Sequence, residues 1–203
     1  MAVKYPEKES WYIVHTIPKR SGGVRILEEP IPNIKQAQRE IYDTLLGIYG
    51  VSKFSYGGVK GRNITQAAAL HVASKIKMKM DISNFFPSIT DDMIVSALVK
   101  NKKHMTLDVA KQIAYMCTNA NGVLPQGGVT SPCLSNIVAE NTYNMVGRMA
   151  AKRGLKFSAY VDDFIVSGDA VKDVGGMCRI IKWVCNRHGF AINDKKTVIM
   201  RRK

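Results

Sequence analysis

The chain has 203 residues, 46% hydrophobic and 23% charged, a composition typical of a globular protein that can bury a core. Thirty Lys and Arg against sixteen Asp and Glu give a net charge of +14, which favours a polyanionic partner such as nucleic acid over a merely solvated basic surface. No apolar run is long enough to span a membrane and the N-terminal stretch lacks a signal-peptide core, so we expect a cytoplasmic protein.

The cysteine pattern argues against a metal or disulfide framework. None of the four cysteines forms a C-x-x-C pair, and the single C-x-x-H formed by Cys185 and His188 has no second ligand pair. We therefore expect reduced thiols.

The first third of the chain predicts a hairpin followed by helices. "WYIVHTIPK" and "VRILEEP" flank the glycine turn "RSGG", a hairpin pattern. A helix capped by Asn33 is expected to run to about Ile48. After the loop "SYGGVKGRN", "ITQAAALHVASK" predicts a short helix.

The middle of the chain predicts one strand and three helices. "IKMKMDI" alternates as a strand does, with Asp81 near its end. Helices are expected from Thr90 or Asp91 to Val99, over 107–118 and over 131–153, with the loop "NGVLPQGGVTSP" before the last of them.

The last fifty residues predict two strand pairs around a helix. "LKFSAYV" and "FIVSG" read as a hairpin, 169–188 as a helix, and "GFAIN" with "KTVIMRR" as a final pair of short strands. The whole is an α+β pattern, a small antiparallel sheet with packed helices.

Two adjacent acids interrupt the β-prone stretch "SAYVDDFIVSG". Acids favour turns, but turn acids usually accompany Gly or Asn, whereas Val161 and Phe164 flank this pair. Neighbouring carboxylates repel unless a cation lies between them, and hard oxygen ligands suit Mg²⁺. Asp81, at another strand end, is placed to add a third carboxylate. Two metal ions bridged by Asp81 and Asp162 would activate a primer 3′-hydroxyl and hold the leaving pyrophosphate.

Five motifs then resemble those of reverse transcriptases. "YVDD" resembles their Y-x-D-D signature, "MDISNFFPSI" their first palm motif and "LPQGGVTSPCLSNIVAE" the intervening P-Q-G-x-x-x-S-P motif. "IPKRSGGVRILEEPIPNIKQAQREI" is similar to the fingers hairpin of bacterial members, and "GFAINDKKT" to the late palm motif with its lysine. The five occur in the family's order over most of 17–202.

Retron-type enzymes are the most similar subgroup, with group II intron enzymes next. "YGGVKGRNITQAAALHV" resembles the retron stretch with N-A-x-x-H, in which Ala68 and His71 match while Ala67 replaces the Asn. We read His71 as a hydrogen-bonded helix histidine rather than a catalyst. Gln126 in "LPQG" argues against a diversity-generating type.

The resemblance implies a right-hand polymerase fold with fingers over 1–60 and 89–124 and palm over 61–88 and 125–203. Family members usually continue into a primer-grip hairpin and a helical thumb, whereas the sequence stops at "VIMRRK". We therefore expect the thumb to be absent, supplied by a partner chain or by a missing C-terminal segment.

The resemblance also implies a role for each motif residue. Two Mg²⁺ ions would be held by Asp81, Asp162, Asp163 and the backbone carbonyl of Ile82. Lys196 is the expected general acid for pyrophosphate, with Lys195 as its rival.

The remaining motif residues are expected to bind nucleotide and nucleic acid. Phe86 would be the steric gate that excludes a ribose 2′-hydroxyl, with Phe85 as a core aromatic. The other expected contacts to dNTP are Lys19, Arg25, Gln126 and Gly127, with Arg20 able to share the role of Lys19. Arg62 and Tyr160 would contact the template and the primer.

The implied function is that of an RNA-directed DNA polymerase that extends a primer on an RNA template with dNTPs. Its partners would be the RNA template, the DNA primer or cDNA product, and dNTPs, with no membrane. Two alternatives stay open: a non-catalytic nucleic-acid-binding fragment of a polymerase, and a template-independent polymerase of the phage-defence type.

Overall fold

The structure is a computed structural model that describes residues 7–19, 22–101 and 105–202. The chain forms two compact units, Met1–Gly50 with Phe86–Val138, and Val51–Phe85 with Ala139–Lys203. The predicted fingers and palm boundaries stay predictions. Among the described residues, no helix is both long and apolar enough to cross a bilayer.

Six strands, six α-helices and three short 3-10 turns make up the regular structure of the described residues. The strands are β1 (Tyr12–Pro18), β2 (Val24–Pro30), β3 (Ile76–Asp81), β4 (Lys156–Tyr160), β5 (Asp163–Gly168) and β6 (Val198–Arg201). The helices are α1 (Pro32–Ile48), α2 (Ile64–Ala69), α3 (Asp91–Asn101), α4 (Leu107–Cys117), α5 (Ser131–Ala151) and α6 (Val171–Arg187). The predicted α+β class is confirmed.

In the first unit, β1 and β2 form the predicted antiparallel hairpin. The Lys19 N–H donates to the carbonyl of Gly23 at 2.9 Å, which closes the turn. Gly22 and Gly23 have φ of 86° and 79°, a conformation that favours glycine. Arg20 lies outside the described residues.

Helix α1 begins one residue before the predicted cap. Pro32 occupies its first turn and Ile31 is the N-cap, without a side-chain cap, so the assignment of Asn33 as the cap was wrong. Proline suits a first helical position because the N–H that it lacks would have no partner there.

A buried glutamine on α1 joins three parts of the first unit. The Gln38 amide nitrogen donates to the Tyr12 hydroxyl at 2.8 Å and to the Met116 carbonyl at 3.0 Å. Its oxygen accepts from the Val129 N–H at 3.1 Å. Gln38 thus connects β1, α4 and the loop before α5.

In the second unit, a four-stranded antiparallel sheet has the order β4-β5-β3-β6. The predicted final strand pair was wrong. Residues 189–193 contribute a single bridge between Ile82 and Ile192, and β6 pairs with β3 instead. A short 3-10 turn, Asp194–Lys196, redirects the chain so that β6 can pair with the edge of β3.

The sheet has an apolar face that is covered by helices. Met78 and Met80 of β3 are fully buried, whereas the intervening Lys79 is only half-buried. Phe164 of β5 contacts Tyr143 of α5, with ring centroids 5.6 Å apart. This alternation makes β3 a strand with one core face and one polar face.

His71 is buried in a hydroxyl network. Because α2 ends at Ala69, earlier than predicted, His71 lies in the following turn. Its Nδ1 is 2.7 Å from Ser167 Oγ, and its Nε2 is 2.8 Å from Ser158 Oγ. The Ser167 hydroxyl also donates to Ser74. Burial, with smaller effects of Lys156 and Lys77, lowers the pKa of His71 to about 4.

We expect stability to fall as the pH drops from about 6.5 towards 4. The folded pKa of His71 is lowered, so the unfolded chain binds the proton first, and this binding stabilises the unfolded chain over this window. Lowering the pKa of His71 from 6.5 to about 4 corresponds to about 3 kcal/mol of the free energy of unfolding. Urea unfolding at pH 7 and pH 4.5 should show this loss in wild type and a smaller one in His71→Gln.

His15→Gln is the matched control, because His15 is exposed on β1. It should retain the pH dependence of wild type. Equal pH dependence in wild type and His71→Gln would show that buried His71 is not the cause.

Candidate active site

The sheet register brings the three predicted acids to one end of the second unit's sheet. Asp81 ends β3 and lies directly opposite Asp163, the first residue of β5. Asp162 occupies the two-residue turn between β4 and β5. Asp81 is 6% exposed, whereas Asp162 and Asp163 are half-buried.

The turn that carries Asp162 has an unfavourable backbone. Val161 has φ of 58°, a left-handed conformation that is rare for a β-branched residue. Such conformations cost about 1–3 kcal/mol and persist only where the surroundings impose them.

Three contacts within the second unit hold this turn. The Tyr143 hydroxyl donates to the Val161 carbonyl at 2.9 Å, and the Ile82 N–H donates to the Asp162 carbonyl at 3.0 Å. A Cβ on Gly57 would lie 2.6 Å from the Val161 backbone nitrogen, so only glycine fits there. Together these contacts fix the backbone that carries Asp162.

Two lysines neutralise two of the acids. Lys196 Nζ donates to both oxygens of Asp81, at 3.0 and 3.1 Å. Lys79 Nζ lies 2.9 Å from Oδ1 and 3.0 Å from Oδ2 of Asp163. The contact to Asp81 favours Lys196 over Lys195 as the functional lysine. Sequence reasoning missed Lys79; its place two residues before Asp81 on an alternating strand was the available signal.

Burial disfavours the ionised form of Asp162. Its pKa is raised chiefly by burial, and further by the charges of Asp163 and Asp81. A hydrogen bond to its own backbone and the charge of Lys196 oppose this effect. A cation beside Asp162 would favour its ionised form.

The chemistry of these donors fits a divalent cation. All three side chains offer carboxylate oxygens, and the buried Asp163 Oδ1 has no hydrogen-bond donor although the ion pair with Lys79 is close. Within 7–19, 22–101 and 105–202, however, no group of three or more His, Cys, Asp or Glu is arranged as a ready ligand set. Metal binding at Asp81 would require Lys196 to leave.

The two adjacent phenylalanines have different surroundings. Phe85, in the second unit, is 3% exposed and packs against Phe190 with ring centroids 5.4 Å apart. Phe86, in the first unit, is half-buried in the 3-10 turn Phe86–Ser88. Phe85 thus has the expected core position, and the gate role of Phe86 stays a prediction.

Within the first unit, the loop of Gln126 and Gly127 is attached to β2. The Glu28 N–H donates to the Gln126 carbonyl at 2.8 Å, and its carboxylate accepts from the Asn119 amide at 3.0 and 3.1 Å. Gly127 has φ of 126°, and a Cβ there would lie 2.8 Å from the Glu28 carbonyl oxygen. The loop therefore has a fixed backbone beside the hairpin.

The other expected contact residues occupy varied positions. Lys19 and Arg25 are exposed near the hairpin turn of the first unit. In the second unit, Arg62 Nη1 donates to the carbonyls of Ser52 and Ser55, at 2.8 and 2.6 Å, and this fixes the loop around it. Tyr160 is half-buried at the end of β4. Their roles towards nucleotide and nucleic acid stay predictions.

A comparison with models of protein families identifies the family of this chain. Residues 17–203 match the family described as Reverse transcriptase (RNA-dependent DNA polymerase). The chain belongs to the reverse transcriptase family. The resemblance of the five motifs is thereby confirmed.

Curated proteins that are similar to this chain include retron reverse transcriptases. The chain is 30% identical to the Retron Mx65 reverse transcriptase of Myxococcus xanthus, over 97% of this chain and 49% of that protein. It is 31% identical to the Retron Ec83 reverse transcriptase of Escherichia coli, over 82% and 55% respectively. The chain spans about half the length of these relatives.

Solved structures support the polymerase-type fold. Apo telomerase from Candida tropicalis, truncated from its C-terminal domain, matches with a TM-score of 0.66 at 12% identity, over 100% of this chain and 52% of that one. Telomerase from Candida albicans in complex with a fragment of telomeric RNA matches with a TM-score of 0.63 at 13% identity, over 99% and 45%. At these identities the likeness shows the fold alone.

Tyr143→Phe should destabilise the chain by about 1–3 kcal/mol, because it leaves the Val161 carbonyl without its buried donor. The turn should also open more often, which amide exchange at Ile82 would report as a faster rate. Tyr49→Phe is the control, because it removes a similar buried hydroxyl donor, 2.6 Å from the Leu98 carbonyl in the first unit. If Ile82 exchanges equally in both variants, Tyr143 does not hold the turn.

Asp162→Asn should raise the melting temperature of the metal-free chain at pH 8. The raised pKa means that ionised Asp162 disfavours folding above its unfolded pKa, and the neutral amide removes this charge. Asp43→Asn, which neutralises an exposed carboxylate on α1, is the control and should change little. A fall in melting temperature for Asp162→Asn alone would contradict the conclusion that ionised Asp162 destabilises the metal-free chain.

Proposed function

We propose that this chain is the catalytic part of an RNA-directed DNA polymerase, which extends a primer 3′-hydroxyl with dNTPs on an RNA template. The observation that carries the proposal is the convergence of Asp81, Asp162 and Asp163 at one end of a single sheet. This convergence occurs in a chain of the reverse transcriptase family. Three buried or half-buried acids in one place repel each other and would weaken the binding of nucleic acid, so they favour a catalytic role over binding alone.

Two Mg²⁺ ions are the proposed cofactors, as the family uses divalent metal ions. Asp81 and Asp162 would hold them, with Asp163 as the third acid and the Ile82 carbonyl as a further oxygen donor. When bound, the ions would supply the charge that activates the primer hydroxyl and stabilises the leaving pyrophosphate. The fixed turn at Val161 and Asp162 supports this role, because a metal ligand must be preorganised.

Lys196 is the proposed general acid. Its ammonium lies 3.0 Å from Asp81 in the metal-free chain, within the cluster of acids. On leaving Asp81 it could donate a proton to the pyrophosphate oxygen. The 3-10 turn that carries it and its 56% exposed side chain are compatible with such a movement.

The first unit is proposed to bind the incoming nucleotide. Lys19 and Arg25 would pair with the triphosphate, as cations beside a glycine turn can. Gln126 and Gly127 would contact the sugar or the template base, and their backbone is held by β2. Phe86 would exclude a ribose 2′-hydroxyl.

The net charge of +14 supports an RNA template and a DNA primer as partners. Lys and Arg contacts to phosphate supply affinity that is independent of sequence and weakens with salt. Arg62 and Tyr160 are proposed contacts to the template and primer strands.

Primer extension with labelled dNTPs on RNA annealed to a DNA primer tests the proposal. Wild type should extend the primer in Mg²⁺, and Asp162→Asn should reduce extension to background while Asp43→Asn retains it. Extension that survives omission of the template would favour the template-independent alternative. A folded wild type that binds primer and template without extending it would favour the binding fragment.

Phe86→Ala should admit ribonucleotides. Loss of the ring should lower the ratio of kcat/KM for dNTP over rNTP by roughly 10- to 200-fold, as expected when a pocket loses steric exclusion. Phe85→Leu, which changes the neighbouring core aromatic, should leave the ratio near that of wild type. An unchanged ratio in Phe86→Ala would exclude Phe86 as the gate.

A further inference from the structure

Helix α6 presents one face to the sheet of the second unit and the opposite face to solvent. Its inner face carries the buried side chains of Val174, Met177 and Ile181 and packs on β3 and β5. A helix turns by about 100° per residue, which places a second set of residues on the side away from the sheet. This outer face consists of Lys172, Gly175, Gly176, Arg179, Trp183 and Arg187. The proposed chemistry uses none of them.

The outer face of α6 is basic. Lys172, Arg179 and Arg187 are all exposed, and spacings of seven and eight residues align them along one side of the helix. The line that they form is about 22 Å long. Asp173, the one acid of Val171–Arg187, lies more than a quarter of a turn away around the helix. Such a row of cations complements the phosphates of a nucleic-acid strand and repels a second copy of this chain.

An aromatic ring lies among these cations. Trp183 is 52% exposed, and the guanidinium carbon of Arg187 lies 5.7 Å from its ring centroid. Exposing so much apolar surface to water is unfavourable, whereas unpaired bases stack readily on such rings. Because the bases of a duplex are already stacked and paired, Trp183 favours a single-stranded partner.

Two adjacent glycines on the same face have no packing role. Glycine inside a helix is less stable than alanine. A Cβ built on Gly175 or Gly176 would meet nothing within 4 Å among the described residues, so the surroundings would accept a side chain at either position. The bare helix between Lys172 and Arg179 would instead let a sugar–phosphate backbone approach closely, which gives both glycines a role.

An ion pair connects α6 to the turn that carries Lys196. Lys182, at the edge of the outer face, has its Nζ 2.6 Å from Asp194 Oδ1. Asp194 and Lys196 belong to the same 3-10 turn. A strand bound along α6 would therefore pass beside this turn. In the proposed reaction the single strand is unpaired RNA template, since the primer is paired with the template.

We propose that the outer face of α6 binds unpaired RNA of the template, outside the duplex of template and primer. The proposal rests on the proposed function, which supplies the RNA, and adds a contact surface separate from the three acids. The three cations pair with phosphates, Trp183 stacks on a base, and the two glycines admit the backbone.

Titration with a short oligouridylate, which forms no stable secondary structure, tests the proposal. The chain has two tryptophans, and Trp11 is buried, so quenching of tryptophan fluorescence would report stacking on Trp183. Trp183→Ala should lose the quenching and weaken binding of labelled oligouridylate by about 5- to 100-fold. Trp183→Leu serves if the alanine variant does not fold.

The salt dependence of the same binding tests the cations. Loss of one phosphate contact in Arg179→Gln should lower the slope of log affinity against log salt concentration by about 0.7. Arg39→Gln is the matched control, because Arg39 is an exposed arginine on α1 in the first unit. This control should retain the slope and the affinity of wild type.

Replacing both glycines separates binding from a structural role. Gly175→Ala combined with Gly176→Ala should raise the melting temperature, because alanine favours the helix and the space around it is open. The added methyl groups should nevertheless weaken oligouridylate binding. A higher melting temperature with unchanged affinity would overturn the close approach that the proposal requires.

Primer extension separates this inference from the proposed function. Arg179→Gln should raise the KM for an RNA template with a long unpaired segment several-fold, leave kcat unchanged, and leave the KM for a template with a short segment near that of wild type. Wild-type binding and quenching in all α6 variants, with primer extension retained, would overturn the inference alone. Binding that depends on α6 in a wild-type chain that extends no primer would overturn the proposed function and leave an RNA-binding face.

Discussion

The antiparallel register of β3 and β5 is the constraint on which the site depends. It sets Asp81 directly opposite Asp163, with Asp162 one residue away in the connecting turn. Shifting this register by one residue would move the polar residues of β3 to the core face and its methionines to the polar face. The buried Met78 and Met80 oppose such a shift, so the core of the second unit also fixes the acids.

Like charges in one place cost free energy, and the second unit offsets this cost locally. Lys196 and Lys79 each neutralise one acid, while burial, and to a smaller extent the charges of Asp163 and Asp81, raise the pKa of Asp162. The left-handed Val161 adds backbone strain that Tyr143, Ile82 and Gly57 sustain. A site that is unfavourable without its ligand and rigidly held is typical of a preorganised catalytic centre.

Much of this could be predicted from the sequence, since local patterns determine most of the elements. Alternation identified β3, turn glycines identified the first hairpin, and the strand-end positions of the acids brought Asp81 and Asp162 into one hypothesis that the motifs then supported. The pairing of β6 with β3 could not be predicted, because strand partners depend on long-range packing rather than on local pattern. The ion pair of Lys79 with Asp163 depends on the register of two strands that are far apart in sequence. The strain at Val161 depends on tertiary contacts, which strand propensity does not predict.

The most direct test of the account is a crystal of this chain soaked in Mn²⁺, with data collected at the manganese absorption edge. The account predicts anomalous density at the carboxylates of Asp81 and Asp162, with Lys196 withdrawn from Asp81. Crystals without anomalous density at these acids, and with Lys196 still on Asp81 at saturating Mn²⁺, would contradict the claim that the cluster is a polymerase metal site.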